Sequence, residues 1–170
     1  MIHDDVLQTA RLQVRPFEPD DAAALVALFA DPLVARWVDA GEPLPRAEAE
    51  LWIERSRENL ARYGYGTGAV VERASGEMIG WAGFARPEDG PEQIIYGLAR
   101  AHWRRGYGRE LVAALAAYAR DALGRDRVVA TVHPANTVSA HILAGAGFRR
   151  GDDLAEDPES HCYVLHLTRS

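Results

Sequence analysis

The sequence predicts one α/β domain built on a mixed β-sheet, and three observations predict it. The 170 residues suit a single domain, since a chain of this size buries about 68–70% of its unfolded surface. Apolar residues alternate in some stretches and recur at helical spacing in others, in the order strand, helices, three strands, helix, strand, helix, strand. A hairpin in that order gives antiparallel neighbours and a helical crossover gives parallel ones, so both pairings are expected in one sheet.

Each element follows from its local pattern. RLQVRPF (11–17) alternates polar and apolar residues and stops at Pro16, as a strand does. EPDDAAALVALFADP offers Asp20 as an N-cap, an apolar stripe at Ala24, Leu25, Leu28 and Phe29, and an end before Asp31-Pro32. A short helix, PLVARWV, runs to about Val38. PRAEAELWIERSRENLARYG reads as a helix carrying Leu51, Trp52, Arg55 and Leu60 on one face and charge on the other, broken by Gly64, Gly66 and Gly68. GAVVERASGEMIGWAGF reads as a hairpin turning at Ala74-Ser75-Gly76-Glu77, and IIYGLA (94–99) as a third strand. GYGRELVAALAAYARDAL aligns Leu111, Val112, Leu115, Tyr118 and Ala119 on one helical face. RVVATV (127–132) is a strand, TVSAHILAGAG a helix closed by Gly145 or Gly147, and CYVLHL (162–167) the last strand.

Composition excludes several chemistries. All 19 basic residues are arginine, against 25 acidic ones. With no lysine, neither a Walker-A phosphate loop nor Schiff-base catalysis is possible. A net charge of −6 and a pI near 5.5 argue against a nucleic-acid partner. Cys162 is the only cysteine, so no intrachain disulfide and no cysteine zinc site can form, and no metal is expected. The start MIHDDVLQTARL lacks an apolar signal region, and no apolar run reaches the ~20 residues a bilayer requires. A cytoplasmic protein with no membrane partner is the expectation.

The most informative segment is Trp103-Arg104-Arg105-Gly106-Tyr107-Gly108-Arg109, between a strand and an amphipathic helix. Glycines at 106 and 108 let backbone N–H groups face a ligand, and the helix adds its positive end. Arg100, Arg104, Arg105 and Arg109 cluster there with only Glu110 opposing them in sequence. On an acidic chain, that local positive charge suits a polyphosphate. The turn lacks the GxGxxG spacing of a dinucleotide site.

The sequence here resembles the GNAT superfamily of N-acetyltransferases, over nearly the whole chain. Trp103-x-x-Gly106-x-Gly108 resembles the W-G-K-G-Y-A motif of the branch that acetylates ribosomal-protein N-termini, with Arg104 in place of its glycine and Gly108 in place of its alanine. TARLQVRPFEPDDAAALVALFADPLVARWV is similar to that branch's opening strand-helix-helix, and GEMIGWAGF to its central strand. His133-Pro134-Ala135-Asn136-Thr137-Val138-Ser139 with Gly147-Phe148 is similar to its second cofactor motif.

The resemblance implies a GNAT-like α/β fold of about six to seven strands with a splayed central pair, Tyr96–Ala99 against Arg127–Val132. It implies acetyl-CoA as co-substrate, with the backbone of Arg104, Arg105, Gly106, Tyr107, Gly108 and Arg109 on its pyrophosphate. Pantetheine would lie along the strand edge at Leu98 and Ala99 as an added strand, contacted by Asn136, which also suits an N-cap. The implied reaction is direct attack of a primary amine on the thioester, the acceptor being a peptide N-terminus or a small-molecule amine; a homodimer also fits the family.

Such an amine is mostly protonated at neutral pH and must lose a proton, and the departing thiolate must gain one. Many family members use a tyrosine as the acid where this chain has Leu143, which leaves Ser139 or a water. His133, at a strand end, and Glu92, acting through water, are the candidate bases. Cys162 lies in an apolar strand and suits inert core better than a covalent role. Trp37 and Trp52 fall where the fold shapes its acceptor pocket, and the acidic residues of 39–58 suit a solvated face. Two rival readings are a catalytically inert acyl-CoA-binding module, suggested by Leu143, and a nucleotide-binding module using Gly106 and Gly108.

Overall fold

The computed structural model describes residues 7–38, 41–85, 92–151 and 160–167. In chain order the elements are β1 (Leu7–Gln8), β2 (Leu12–Pro16), α1 (Ala22–Phe29), α2 (Pro32–Ala35), α3 (Arg46–Tyr63), β3 (Thr67–Glu72), β4 (Met78–Ala85), β5 (Gln93–Leu98), α4 (Tyr107–Asp121), β6 (Arg127–Val132), α5 (Thr137–Gly145), β7 (Arg149–Arg150) and β8 (His161–His166). Single turns of 3₁₀ helix, Pro19–Asp21 and Arg100–His102, precede α1 and α4. The eight strands form one sheet in the order β1-β2-β3-β4-β5-β6-β8-β7. Among the described strands the neighbours are antiparallel, β2 and β3 across the helices α1 to α3 and β6 and β8 across α5, except that β5 and β6, joined across α4, run parallel. The mixed sheet is as the sequence predicts. Its strand count is slightly higher because β1 and β7, two residues each, are too short to leave a periodic pattern.

Two apolar clusters cover the two faces of the sheet. Along β5, Ile94, Tyr96 and Leu98 belong to one cluster and Ile95, with the following Ala99, to the other, as alternating side chains require. On the first face Leu111, Leu115 and Leu143 seat α4 and α5 and are 0%, 2% and 0% exposed, each contributing about 1.5–3 kcal/mol of burial. On the second face α1 and α3 bury Leu25, Phe29, Ala49 and Ile53 over Phe17 and Trp81.

Two local expectations are corrected. The buried line of α3 is Ala49, Ile53 and Ser56, while Leu51 lies exposed. The long charged side chains around it mask which apolar residue faces inward. Asp20 does not cap α1, since the 3₁₀ turn carries the chain in. Asp21 stands before the helix, and its carboxylate turns back to accept from both Arg15 guanidinium nitrogens at 2.8 and 3.0 Å and from the Glu18 N–H at 2.7 Å. The bidentate pair with Arg15 commits the Asp21 carboxylate, which makes no cap bond to α1.

Candidate active site

The sheet opens at the one parallel pair among the described strands, β5 and β6. Gln93 and Val129 are in register, with the Val129 N–H donating to the Glu92 carbonyl at 3.3 Å. Beyond them, toward the carboxyl ends of both strands, no further register pair joins β5 to β6. On the other side β5 stays paired to β4 up to Leu98, and the Ala99 N–H donates to the Ile79 carbonyl at 2.7 Å. Hydrogen-bonded pairs alternate along an antiparallel ladder, so the peptide groups of Tyr96 and Leu98 face the parting. The Trp103 indole N–H occupies the Leu98 carbonyl at 2.8 Å, and the Leu98 N–H is left directed into the opening. Ala99, whose N–H is spent on β4, has no such donor to offer.

The turn from β5 into α4 ends this opening. Arg104 has φ of 62° and Gly106 has φ of 81°. Two left-handed residues two apart curl successive N–H groups into a concave, anion-binding nest, and α4 starts directly after it. The turn is braced from behind. Glu72 accepts from the Tyr107 hydroxyl at 2.7 Å and lies 3.7 Å from His102 Nε2 and 4.0 Å from Arg105 Nη1. The Tyr107 hydrogen bond holds the Glu72 carboxyl below its ordinary value. Arg11 lies over the Tyr107 ring at 4.2 Å and donates to the Arg105 carbonyl at 2.8 Å. Glu110, the acid nearest in sequence, pairs with Arg11 at 2.9 Å, and Arg100 pairs with Asp31. Among the described residues Arg104 and Arg109 form no ion pair, and both are exposed. Tyr107 therefore presents only its backbone to the nest, while Gly108 is buried: a Cβ there would lie 2.9 Å from the Ile142 Cδ1 and 3.7 Å from the Tyr96 ring.

Across the opening stand the end of β6 and the start of α5. Asn136 caps α5, its Oδ1 accepting from the Ser139 N–H at 3.2 Å. Ser139 Oγ lies 2.9 Å from the Tyr96 hydroxyl, spanning the parted strands. Burial pushes the Tyr96 phenol above its ordinary value, and the Ser139 hydrogen bond opposes that shift. Leu143 is fully buried core. His133 Nδ1 accepts the Ala135 N–H at 3.1 Å, so in the neutral ring Nε2 carries the proton and has no lone pair for a base to use. The His133 ring packs against Trp37 at 5.0 Å, tilted by 30°, and the Arg36 guanidinium lies over the Trp37 ring at 4.5 Å. Glu92 is not brought to this group. It sits at the paired end of β5, bound to Arg125 at 2.9 Å, six residues or roughly 20 Å of strand from Leu98.

Trp52 is core. It packs edge-on against Phe17, Phe29 and Trp81 at 5.8–5.9 Å and donates to Thr67 at 2.9 Å. Cys162 is 2% exposed, and burial raises its thiol pKa, which suits an inert residue. Tyr96 is the polar side chain at the opening that sequence reasoning leaves as an ordinary strand position. Its alternation with Ile94 and Leu98 places it on the face that α5 covers, and that was the available signal.

Comparison with known proteins agrees with this geometry. The acetyltransferase (GNAT) domain family matches residues 11–149. The N-acetyltransferase p20 of Bacillus licheniformis is 29% identical over 157 residues, covering 91% of this chain and 88% of its own. The crystal structure of an acetyltransferase from Agrobacterium tumefaciens matches with a TM-score of 0.85 at 27% identity, covering 96% of this chain and 95% of that one. A ribosomal L7/L12 alpha-N-protein acetyltransferase in complex with coenzyme A shares the fold at 16% identity, with a TM-score of 0.80 over 96% of this chain and 98% of that one. The matched span holds the parted strands, the left-handed turn and the capped helix, and the chain belongs to the acetyltransferase (GNAT) domain family of acetyl-CoA-dependent acyltransferases.

Proposed function

We propose that this protein transfers an acetyl group from acetyl-CoA to a primary amine, a peptide N-terminus or a small molecule, by direct attack. The observation that carries the proposal is the parting of β5 from β6 beyond Gln93–Val129, ended by a turn with two left-handed residues. These parts fit coenzyme A. The nest at 104–109 suits its pyrophosphate, with Arg104 and Arg109 as free cations. The inward Leu98 N–H suits an amide or thioester carbonyl, and the Asn136 amide can face the pantetheine arm while its oxygen caps α5. When bound, acetyl-CoA supplies the activated acetyl thioester.

The chain's own groups then have distinct tasks. The Leu98 N–H is placed to stabilise charge developing on the acetyl oxygen. Ser139, held by its amide to Asn136, supplies a hydroxyl beside the opening that can protonate the leaving sulfur. His133 acts as a donor through Nε2, and with Trp37 forms an aromatic wall on the acceptor side. The amine's proton leaves through water, since neither His133 as found nor Glu92, neutralised by Arg125, is set up to take it. The inert-module reading rests on Leu143 alone, and the Tyr96 and Ser139 hydroxyls remove that support. Nucleotide competition tests the site: acetyl-CoA is expected to raise the melting temperature and ATP or NAD to leave it unchanged, and the reverse pattern would refute the cofactor assignment.

A further inference from the structure

We propose that Tyr96 is the positioning residue for Ser139, aiming the serine proton into the parting between β5 and β6 and replacing it once the serine has given it to the leaving sulfur. The inference rests on the acetyl-transfer reading above. It starts from one contact, Tyr96 hydroxyl to Ser139 Oγ at 2.9 Å, made by residues of different elements across the opening. Either oxygen can donate, and the surroundings decide which does. Tyr96 is half-buried and packed beside Ile142 and Gly108. Among the described residues only burial and the Ser139 hydroxyl act on its ionisation, with no charged group from α4, α5 or β4 involved. Of the two neutral hydroxyls the phenol is the stronger acid and so the better donor. Ser139 Oγ then accepts from Tyr96, and its own single proton must point elsewhere. The Asn136 cap holds the first turn of α5, and with it the Ser139 backbone, in place.

The chemistry explains why a pair is needed. A serine hydroxyl alone is a weak proton source, whereas a phenol titrates near 10 and a thiol near 8.5. As the carbon–sulfur bond breaks, its electron pair goes to sulfur, and Ser139 gives its proton there. Tyr96 passes its proton to Ser139 Oγ, and the tyrosine oxygen recovers one from water that has taken the proton lost by the amine. One N–H bond is lost and one S–H bond is formed, with no other reagent. Leu143 of α5 is fully buried in the core, and the phenol at the opening comes from β5.

Tyr96→Phe keeps the ring and the packing, so the fold is expected to survive. Turnover of Tyr96→Phe and of Ser139→Ala is expected to fall about a hundredfold, with acetyl-CoA affinity changed less than twofold. The double variant is expected to be no slower than the worse single one. The alkaline decline of kcat in the wild type is expected to vanish in Tyr96→Phe. Ultraviolet titration of tyrosinate in the free protein reads the pair without turnover. The wild-type minus Tyr96→Phe difference gives the Tyr96 ionisation, which is expected to move to higher pH in Ser139→Ala. Wild-type turnover in Tyr96→Phe, or an unmoved tyrosinate curve in Ser139→Ala, would overturn the proposal. If the wild type released no thiol with any amine, the acetyl-transfer reading would fall too, while the tyrosinate curve would still report whether the hydroxyls are coupled.

Discussion

Arg104 holds the left-handed backbone that a glycine adopts freely, with φ of 62°. A side chain there costs about 1 kcal/mol. The motif it resembles has glycine at this position, so the chain keeps the conformation and adds a cation. Arg104→Gly is expected to gain up to about 1 kcal/mol, a rise in melting temperature of about 2–4 °C, and to weaken acetyl-CoA binding. A fall in melting temperature would show that the arginine makes compensating contacts. Asp21 sets a pH dependence. Burial pushes its carboxyl up, but the Arg15 hydrogen bonds and the Glu18 amide outweigh burial and leave it below its ordinary value. A lowered folded value means the stabilisation is complete above the unfolded value near 4 and is lost as pH falls through the folded one. Asp21→Asn is therefore expected to cost about 2 kcal/mol at pH 7 and markedly less at pH 3. Equal costs in denaturant unfolding at the two pH values would contradict this.

At the scale of elements, α5 joins stability to the site through one side chain. Asn136→Ala removes the cap and is expected to cost about 1 kcal/mol. Asn136→Asp keeps the capping oxygen, loses the amide donor and adds a negative charge that a helix N-terminus tolerates, so it is expected to retain the melting temperature while weakening acetyl-CoA binding. Thermal melts with titration calorimetry separate the two, and tight binding by Asn136→Asp would exclude the amide as a pantetheine contact. The longer elements were legible because burial imposes a period on them. The glycine-started helix after Trp103 carries that period, and the strand at 127–132 shows instead a short continuous apolar run. The local geometry of the candidate site was legible where residue types announce it, as in the left-handed Gly106 and the Asn136 cap. It was not legible where contacts join distant segments. The Glu72 brace lies 35 residues from Tyr107, Ser139 lies 43 from Tyr96, and no local pattern announces either. Glu92 misled for the same reason, because its partner Arg125 is brought to it only by the parallel crossover.

For the whole molecule, the sheet is closed by side-chain packing on both faces and open along one strand edge. Closing that edge with a ligand stabilises the folded chain by mass action. Acetyl-CoA at a hundred times its dissociation constant is expected to add about 2.7 kcal/mol, or roughly 5–11 °C in melting temperature for a chain of this size. Among the described residues no helix is long and apolar enough to cross a membrane, and Arg104 and Arg109, exposed and without an ion pair among the described residues, flank the left-handed turn. The measurement that tests the central claim most directly is free-thiol release from acetyl-CoA across a panel of amines, polyamines and N-terminal peptides, with mass analysis of the acceptor. Thiol release that requires an amine, matched one for one by N-acetylated product, is the expected result. Stabilisation by acetyl-CoA without amine-dependent thiol release from any acceptor would contradict it.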